Sequence, residues 1–276
     1  MPELPEVQTI VDDLNAAGLQ GLCINKVSVF WANTIATGAP ESFCRQLEGR
    51  CISGVRRRAK YIILELQPQS ALLIHLRMTG RLELTEKDCA AGPHIHVIIK
   101  LNDGRCLVFH DTRKFGRFYL TAEPEHIVRS LGPEPLATDF TARILAERIG
   151  QRHSRIKPLL LDQSFIAGLG NIYVDEALWT AAIHPLRPAD SLSGKEIKSL
   201  HRAIRSVLRQ GIRNAGTSLG NGKSNYISPR TGRGRNGNQL KVFRRTGRPC
   251  RRCGGKIQKI IVGQRGTHIC AACQTL

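Results

Sequence analysis

Four cysteines near the C-terminus have the residue type and spacing of a metal site. Cys250 and Cys253 form one Cys-x2-Cys pair, and Cys270 and Cys273 form a second. Two such pairs supply four thiolates in a tetrahedron, which is the ligand set of structural zinc. Two disulfides would require an oxidising compartment, and the spacing suits an iron-sulfur cluster poorly. We therefore expect one structural zinc ion in a zinc ribbon, with a β-hairpin between the two pairs.

The stretch between the two cysteine pairs also carries a cation. Arg265 lies in the sequence Gln-Arg-Gly-Thr-His, where the hairpin of the ribbon is expected to turn. A guanidinium at that place could reach a phosphate, because its planar fork of donors matches phosphate oxygens. An ordinary solvated arginine in a surface turn is the competing interpretation.

The N-terminal residues could perform a different chemistry. Met1 precedes a small Pro2, so its removal would expose a secondary amine beside Glu3 and Glu6. An α-amino group has a pKa of about 8, and the positive end of a following helix lowers that pKa, so a fraction of the amine is neutral and nucleophilic. With an aldehyde it would form an iminium, while the two carboxyl groups exchange protons with the substrate. From these residues alone, a disordered tip with Glu6 as an ordinary first-turn carboxylate is the favoured interpretation.

Composition favours a polyanionic partner. Lys and Arg number 41 against 22 Asp and Glu, which gives a formal net charge of +19. Each phosphate that a basic side chain neutralises releases condensed counterions, so nucleic acid is the leading candidate. A ribosome-associated or heparin-binding protein remains open on charge alone.

The chain carries no signal for a membrane. No apolar run approaches the roughly 20 residues of a membrane span, and the N-terminus lacks the basic and apolar regions of a signal peptide. We therefore expect a cytoplasmic protein without a membrane partner. In that reducing compartment, the cysteines scattered singly are expected to be reduced, small core residues. They are Cys23, Cys44, Cys51, Cys89 and Cys106.

The elements that must position these residues follow from hydrophobic periodicity. Apolar residues at helical spacing predict a short helix from about Pro5 to Gly18. Between about residues 23 and 120 the pattern changes to β-strands, with a turn at Asn102-Asp103-Gly104 between the last two. The strand segments are CINKVSVF, KYIILEL, ALLIHLRM, HIHVIIKL and RCLVFHD. They indicate an antiparallel sandwich or barrel.

The chain after the turn-rich residues 132–136 is predicted to be helical. An apolar stripe flanked by arginines indicates an amphipathic helix with a basic face. The stripe is formed by Ile197, Leu200, Ile204, Val207 and Leu208. Residues 216–238 differ, because glycines and basic residues such as Lys223 predominate and few apolar groups could pack against a core. We expect a mobile basic loop there, and a plain linker is the alternative.

Six motifs spread along the chain resemble those of the bacterial formamidopyrimidine-DNA glycosylases, in that family's order. They are MPELPEV at 1–7, RRAKYIILEL at 57–66, HLRMTG at 75–80, HDTRKFG at 110–116, GLGNIYVDEALW at 168–179 and RGTHICAACQ at 265–274. The related endonuclease VIII branch usually has glycine at the position of Leu4 and lacks the pair formed here by Arg113 and Phe115. The resemblance implies an enzyme that excises oxidised purines, such as 8-oxoguanine and formamidopyrimidines, from double-stranded DNA and then cleaves the strand by β,δ-elimination.

The resemblance also implies an α+β fold in three parts. The N-terminal helix and an antiparallel β-sandwich would occupy residues 1–132. A helical domain with a helix-two-turn-helix motif and the basic loop would span 133–240, and the zinc ribbon 241–276. DNA would lie in a basic cleft of a monomeric protein in the bacterial cytoplasm or nucleoid.

Carried over position by position, the resemblance implies catalytic roles for five residues. Pro2 would be the nucleophile that attacks the deoxyribose C1′, Glu3 the acid that helps open the sugar, and Glu6 a supporting carboxylate. Lys60, in the strand KYIILEL, matches a lysine assigned to proton transfer in β-elimination and to phosphate contact. Arg265 matches an arginine linked to δ-elimination. Without the resemblance, Lys60 would be interpreted as a charge at a strand edge.

A second group of residues matches positions that contact DNA in the family. Met78, Arg113 and Phe115 would fill the gap that the damaged base leaves in the stack, with Arg113 facing the widowed cytosine. Ordinary core packing at strand ends is the alternative for Met78 and Phe115. The remaining DNA-contact candidates are His94, Arg152 and Asn171, with His75 as a weaker one and Arg155 as an alternative to Arg152.

Two rival functions stay open at this point. One is an endonuclease VIII-like enzyme acting on oxidised pyrimidines, which a comparison of 8-oxoguanine and thymine glycol excision distinguishes. The other is a non-enzymatic zinc-ribbon protein that binds DNA with the same fold, and retention of Met1 would favour it. The loop at 216–238 is richer in Gly and Arg than the family's usual loop over the extruded base, so the resemblance does not extend to fine substrate preference.

Overall fold

The chain of 276 residues folds into two compact units. The structure is a computed structural model that describes residues 1–86, 89–150, 152–220 and 226–276. The first unit comprises Met1–Arg129 and Ile212–Gly237, and the second Ser130–Gly211 and Asn238–Leu276. The structure therefore groups the helical part with the C-terminal part, and a segment after the helical part with the N-terminal part. This grouping differs from a division strictly by chain order.

The first unit is an antiparallel β-sandwich preceded by a helix. Helix α1 spans Leu4–Ala16, and the shorter α2 and α3 span Pro40–Leu47 and Pro124–Val128. One sheet has the order β1-β6-β7-β5, with strands Ile24–Val29, Ile95–Leu101, Cys106–His110 and Arg81–Thr85. The other has the order β2-β3-β4-β8, with strands Cys51–Arg58, Tyr61–Gln67, Ser70–His75 and Arg117–Thr121. The predicted sandwich is confirmed, although β2, β5 and β8 were not among the predicted strands.

One hydrophobic core fills the space between the sheets and α1. Because side chains alternate along a strand, each strand sends every second residue inwards. Ile62, Leu64 and Leu66 of β3 show this alternation, and all three are buried in the core. Helix α1 adds the apolar stripe that the sequence predicted, consisting of Val7, Ile10, Val11 and Leu14. This packing holds the first turn of α1 in a fixed position against the sandwich.

Two of the five scattered cysteines are not reduced. Cys23 and Cys51 form a disulfide, while Cys44, Cys89 and Cys106 form none. Cys23 and Cys51 are partners in an isolated antiparallel bridge, and directly opposed residues bring their Cβ atoms close together. The expectation of five reduced cysteines was wrong for this pair, because it considered the compartment and not the pairing that folding produces.

The second unit combines a helical layer with the zinc ribbon. Its helices α4 to α7 span Ala142–Ile149, Ile156–Leu161, Asn171–Thr180 and Gly194–Arg213. Helix α7 buries four of the five residues of its predicted stripe, and Val207 is half-buried. The ribbon hairpin consists of β11, Gln258–Val262, and β12, Arg265–Ile269. Trp179 of α6 packs in one apolar cluster with Val242 and Ile257, which attaches the ribbon to the helices. No helix in the described part of the chain is long and apolar enough to cross a membrane.

The described part of the glycine-rich segment is attached to α1. It contains a two-residue hairpin of β9, Ile227–Ser228, and β10, Gly232–Arg233. The Asp13 carboxylate of α1 accepts hydrogen bonds from the Arg230 and Thr231 N–H groups, at 3.0 and 2.8 Å, and from the Ser228 hydroxyl. Polar contacts hold these residues on α1. The low apolar content of the segment gave no indication of such contacts. Lys223, within residues 221–225, lies outside the described residues.

Candidate active site and metal centre

Two buried carboxyl groups lie at the first turn of α1. Glu3 is the N-cap residue, with an extended backbone, and forms a reciprocal capping box with Glu6. The Glu6 Oε2 accepts the Glu3 N–H at 2.8 Å. Only 2% of Glu3 and 1% of Glu6 is exposed, and Pro2 is buried beside them. The interpretation of these residues as a disordered tip is therefore wrong. The two carboxyl groups are fixed next to Pro2, the predicted nucleophile.

The second oxygen of Glu6 has a partner far along the chain. Its Oε1 accepts the Thr217 N–H at 2.7 Å. This approach requires a glycine at 216, because a Cβ there would lie 2.7 Å from Tyr226 Cε1 and 3.1 Å from Glu6 Oε1, and its φ is +80°. Glu6 therefore joins the start of α1 to the segment that follows the long helix.

Lys60 occupies the two-residue turn between β2 and β3. Arg58 pairs with Tyr61 across this turn, and Ala59 has a φ of 52°. The lysine was predicted to lie in the strand, which instead begins one residue later. Arg57 donates to the Ala59 carbonyl at 3.0 Å and to Gln8 Oε1 of α1 at 2.9 Å. The turn is thereby held to α1, and Lys60 itself is only 6% exposed.

The two histidine candidates differ in environment. His75 ends β4 and is buried, and its Nδ1 accepts the Arg77 N–H at 3.0 Å. Burial, together with the charges of Arg77 and Lys60, lowers the pKa of His75 to about 3. His75 is therefore neutral at physiological pH and offers a phosphate no charge. His94 is exposed, and its backbone carbonyl accepts the Asp111 N–H at 2.9 Å.

The three predicted wedge residues lie on two loops of the sandwich. Met78 is half-buried in the turn after β4, while Arg113 and Phe115 are exposed in the loop after β7. The Arg113 guanidinium carbon lies 4.7 Å from the centroid of the Phe115 ring. Because 46% of Phe115 is exposed, core packing does not account for it. A stacked guanidinium and an exposed aromatic ring are surfaces on which nucleobases can stack.

The second unit holds the remaining predicted DNA contacts. Asn171 is the first residue of α6, and its Nδ2 donates to the Gly266 carbonyl of the ribbon at 2.8 Å. Arg152 and Arg155 are both exposed before α5, and Arg155 is the N-cap residue of that helix. The exposure of both arginines leaves the choice between them open.

The four cysteines of the ribbon form a compact cluster. The Sγ atoms of Cys250, Cys253, Cys270 and Cys273 all lie within 4.8 Å of one another. The Cys250–Cys273 pair is separated by 4.0 Å and the Cys253–Cys270 pair by 3.4 Å. A tetrahedron with Zn–S bonds of about 2.3 Å has sulfur–sulfur edges of about 3.8 Å. The donor set and its dimensions therefore fit one structural zinc ion, which leaves no open coordination position.

The ribbon hairpin carries Arg265 at the start of β12. Gly263 and Gln264 form the turn, with φ of 54° and 60°, as in the tight turns that suit a twisted hairpin. Beneath the hairpin, the buried Lys157 Nζ lies 2.6 Å from Asp175 Oδ1. The other oxygen of Asp175 accepts the His268 N–H at 2.9 Å. A buried ion pair thus fixes the hairpin to the helices and leaves the Arg265 side chain exposed.

Models of known protein families match three successive regions of the chain. The formamidopyrimidine-DNA glycosylase N-terminal domain matches residues 1–118, and the H2TH domain of the same enzymes matches residues 131–221. A zinc finger found in FPG and IleRS matches residues 247–276. The chain belongs to the formamidopyrimidine-DNA glycosylase family. The helix-two-turn-helix motif and the zinc ribbon that the sequence predicted are thereby confirmed.

Individual members of the formamidopyrimidine-DNA glycosylase family match over the full length. The enzyme from Protochlamydia amoebophila is 49% identical over 274 residues, which cover 99% of both chains. The enzyme from Herpetosiphon aurantiacus is 46% identical and covers 99% of this chain and 100% of its own. A solved structure of Lactococcus lactis Fpg in complex with abasic-site DNA matches with a TM-score of 0.91 at 37% identity, covering 99% of this chain and 100% of its own. A structure of the wild-type Lactococcus enzyme with DNA containing N7-benzyl-Fapy-dG gives the same TM-score and identity, and covers 100% of each chain.

Sequence reasoning overlooked three residues that position the family's motifs. Thr217 and Asp13 hold the segment after α7 on α1, and Asp111 organises the loop of Arg113 and Phe115. Asp111 lies inside the motif HDTRKFG, so its position was visible in the sequence. The contacts of Thr217 and Asp13 join residues about two hundred positions apart, and no local pattern reveals them.

Proposed function

We propose that the protein is a DNA repair glycosylase that releases oxidised purines from double-stranded DNA and then cleaves the abasic strand. The buried cluster of Pro2, Glu3 and Glu6 is the observation that carries this proposal. Full-length relatives are named formamidopyrimidine-DNA glycosylase. The Lactococcus relatives of similar structure are bound to DNA containing a formamidopyrimidine or an abasic site. 8-Oxoguanine and formamidopyrimidine nucleotides are the substrates that fit this family.

Base release begins at the nitrogen of Pro2. In the full chain this nitrogen is an amide, so Met1 must be removed before it has a lone pair. The secondary amine then attacks C1′ of the damaged nucleotide and loses its proton, while the bond from C1′ to the base breaks and the base leaves with the electron pair and takes up a proton. Glu3 donates a proton to the sugar oxygen O4′ as the C1′–O4′ bond breaks, which leaves an iminium between Pro2 and C1′. Glu6 fixes this geometry, because its two oxygens accept the Glu3 and Thr217 N–H groups at 2.8 and 2.7 Å.

Strand cleavage follows from the acidity that the iminium confers. As an electron sink it allows a proton to leave C2′, and the 3′ phosphate departs in β-elimination. A second elimination releases the 5′ phosphate. We assign proton transfer and a phosphate contact in the first step to Lys60, which is buried in the turn tied to α1. We assign assistance in the second step to the exposed Arg265.

DNA binding has two components in this proposal. Arg152, Asn171 and His94 contact the DNA backbone, with Arg155 as the alternative to Arg152, and His75 acts as a neutral polar group. Met78, Arg113 and Phe115 fill the gap left by the extruded base, with Arg113 directed at the opposite cytosine. Cys250, Cys253, Cys270 and Cys273 hold the structural zinc, which stabilises the ribbon and takes no part in the chemistry. We take the active species to be a monomer, which light scattering at working concentration checks.

One experiment separates this proposal from its rivals. The protein is incubated with duplexes that contain 8-oxoguanine opposite cytosine or thymine glycol opposite adenine, and the strands are resolved by electrophoresis. We expect cleavage at 8-oxoguanine that leaves a one-nucleotide gap with a phosphate on each of the two flanking DNA ends. Preferential cleavage at thymine glycol would indicate an endonuclease VIII-like enzyme, and binding without cleavage a non-enzymatic protein.

The covalent step has its own test. Borohydride added during turnover should reduce the iminium and leave a protein–DNA cross-link on a peptide that begins with Pro2. Pro2→Gly keeps a free, primary amine and should slow the reaction, whereas an N-terminal extension that cannot be removed should abolish it. Glu3→Gln should impair base release more than cleavage at a pre-formed abasic site, because its proton is needed while the sugar opens. A cross-link on Lys60, or full activity with Met1 intact, would contradict the assignment.

A further inference from the structure

One buried carboxylate joins the two loops that carry the proposed wedge. The turn after β4 contains Met78 and Thr79, and the loop after β7 contains Arg113 and Phe115. Asp111 lies at the start of the second loop, and none of its surface is exposed. Its side chain accepts a hydrogen bond from the Thr79 hydroxyl of the first loop. This is a direct polar link between the two loops.

The same carboxylate also determines the shape of its own loop. Its Oδ1 accepts the Arg113 N–H at 3.1 Å, and its Oδ2 accepts the Phe115 and Gly116 N–H groups at 2.8 and 2.7 Å. The Arg113 N–H also lies 3.2 Å from the Thr79 hydroxyl. A carboxylate has about four acceptor positions, and four donors occupy them here. All four donors are uncharged, and within the described ranges no lysine or arginine forms an ion pair with Asp111.

Backbone contacts fix Asp111 on the sandwich. Its N–H donates to the His94 carbonyl at 2.9 Å. Its carbonyl lies 2.7 Å from His96 Nε2, and because a carbonyl only accepts, the ring nitrogen must donate. The carbonyl also accepts the Lys114 N–H at 3.3 Å. Asp111 is therefore a fixed point from which the loop of Arg113 and Phe115 extends.

Each of the two loops packs closely around a glycine. A Cβ at Gly116 would lie 2.3 Å from Phe109 Cζ, and a Cβ at Gly80 would lie 2.3 Å from the Leu76 carbonyl oxygen. Real Cβ contacts are never this short, so both loops pack at the limit that glycine allows. One buried carboxylate thus joins two closely packed loops.

We propose that Asp111 and Thr79 are positioning residues that hold Met78 in register with Arg113 and Phe115, so that the three side chains enter the duplex as one wedge. The inference rests on the proposed function, since it presupposes that these side chains replace an extruded base. Extrusion costs a few kcal/mol of unstacking, and a wedge offsets that cost only if its parts arrive in the same place. The Asp111–Thr79 link is needed when a paired base must be displaced and much less at an abasic site.

Thr79→Val tests the link without removing the buried carboxylate. Valine has the shape of threonine but no hydroxyl, so the contact with Asp111 is lost while the Phe115 and Gly116 hydrogen bonds remain. Thr79→Ser keeps the hydroxyl. Thr37→Val is a matched control, because the Thr37 hydroxyl accepts the N–H of Leu120, a residue of β8 outside both loops, at 2.9 Å.

The variants are compared in single-turnover rates on two duplexes, one with 8-oxoguanine opposite cytosine and one with a pre-formed abasic site. We expect Thr79→Val to slow excision of 8-oxoguanine about tenfold, the equivalent of one lost hydrogen bond, and to change abasic-site cleavage less than about twofold. Thr79→Ser and Thr37→Val should retain the wild-type ratio of the two rates. An equal loss on both duplexes, or no loss on either, would overturn the inference.

A binding measurement keeps this test separate from the proposed function. A duplex with 8-oxoguanine on a 2′-fluorinated sugar, which resists excision, opposite cytosine and with 2-aminopurine beside that cytosine reports unstacking by fluorescence without any chemistry. At saturation, Thr79→Val should give a smaller increase in fluorescence than the wild type and Thr79→Ser. Equal increases would reject the link even if the wild type excises 8-oxoguanine. A wild type that unstacks the duplex but excises nothing would reject the proposed function and leave the link supported by the contrast between variants.

Discussion

Glu6 combines two structural tasks in one buried side chain. One oxygen accepts the Glu3 N–H at the start of α1, and the other accepts the Thr217 N–H. A carboxylate accepts at both oxygens, whereas an amide accepts at one and presents donors at the other. The requirement for an acid at this position is therefore explained by hydrogen bonding, independently of any proton transfer.

Glu6→Gln should destabilise the protein and slow base release. One of the two N–H groups would face an NH₂ group in a buried site, which costs about 1–3 kcal/mol. Urea unfolding should show a lower free energy of unfolding, and 8-oxoguanine excision should slow in parallel because Glu3 loses its fixed orientation. Glu41→Gln, at an exposed acid in the first turn of α2, is the matched control. Unchanged stability would mean that the two hydrogen bonds contribute nothing.

Single residues were predictable from sequence where a motif carries them. Pro2, Glu3, Lys60 and the four zinc cysteines stand in patterns that a resemblance identifies. The capping box was also visible, because Glu3 and Glu6 have its spacing. The partners of Glu6 and Asp13 were not, since hydrogen bonds between distant residues depend on the completed fold. The Cys23–Cys51 disulfide was missed for the same reason.

At the scale of elements, α1 serves as a platform for the segment after α7. Asp13 is only 8% exposed, whereas the preceding residue of the same helix, Asp12, is exposed to solvent. Both oxygens of Asp13 accept hydrogen bonds, from Ser228, Arg230 and Thr231. Burial alone would raise the pKa of Asp13, but these hydrogen bonds outweigh it and lower the pKa below its usual value of 3.8. The composition of residues 216–238 predicted a mobile loop, because low apolar content gives no sign of hydrogen bonds to a distant carboxylate.

The docking through Asp13 should depend on pH in a defined direction. Because the pKa is lower in the folded protein, the stabilisation is present above about pH 4 and is lost as the pH falls through the folded pKa. Asp13→Asn should remove this acid-sensitive component and increase tryptic cleavage after Arg230 and Arg233 at neutral pH. Asp12→Asn, on the exposed side of the same helix, is the control. Equal cleavage of the two variants would show that Asp13 does not hold the segment.

The zinc ligands take part in the contact between the ribbon and α6. Trp179 packs in one cluster with Cys250 and Cys270, so the ligands themselves belong to the apolar contact. Cys253→Ser should lose stoichiometric zinc and, with it, DNA affinity, because the hairpin that carries Arg265 is no longer fixed. Metal analysis and a binding titration check both effects. Full zinc content with normal DNA affinity would show that the site has been misassigned.

At the scale of the whole molecule, the formal charge of +19 was the first indication of a nucleic acid partner. The net charge and the order of the motifs are read directly from the sequence, and they predicted the nucleic acid partner and the family. The assembly of the units could not, because the segment 212–237 joins the N-terminal unit through contacts with α1. The sequence therefore supplied the candidate site residues, while the fold determined what holds them in place.

DNA binding should weaken steeply as salt rises. Neutralised phosphates release counterions, and about 5 to 8 phosphate contacts imply a log–log slope of roughly −4 to −7. Arg152→Ala should lower affinity for any sequence and make the slope less steep by about 1, since one phosphate contact is lost. Arg155→Ala measured in parallel decides between the two exposed arginines. Arg143→Ala is the control, because Arg143 is exposed on α4 and forms an ion pair with Glu147 at 3.0 Å. A slope near zero would mean that the positive charge does not hold DNA, and a change in slope for Arg143→Ala alone would place the contact surface elsewhere on the second unit.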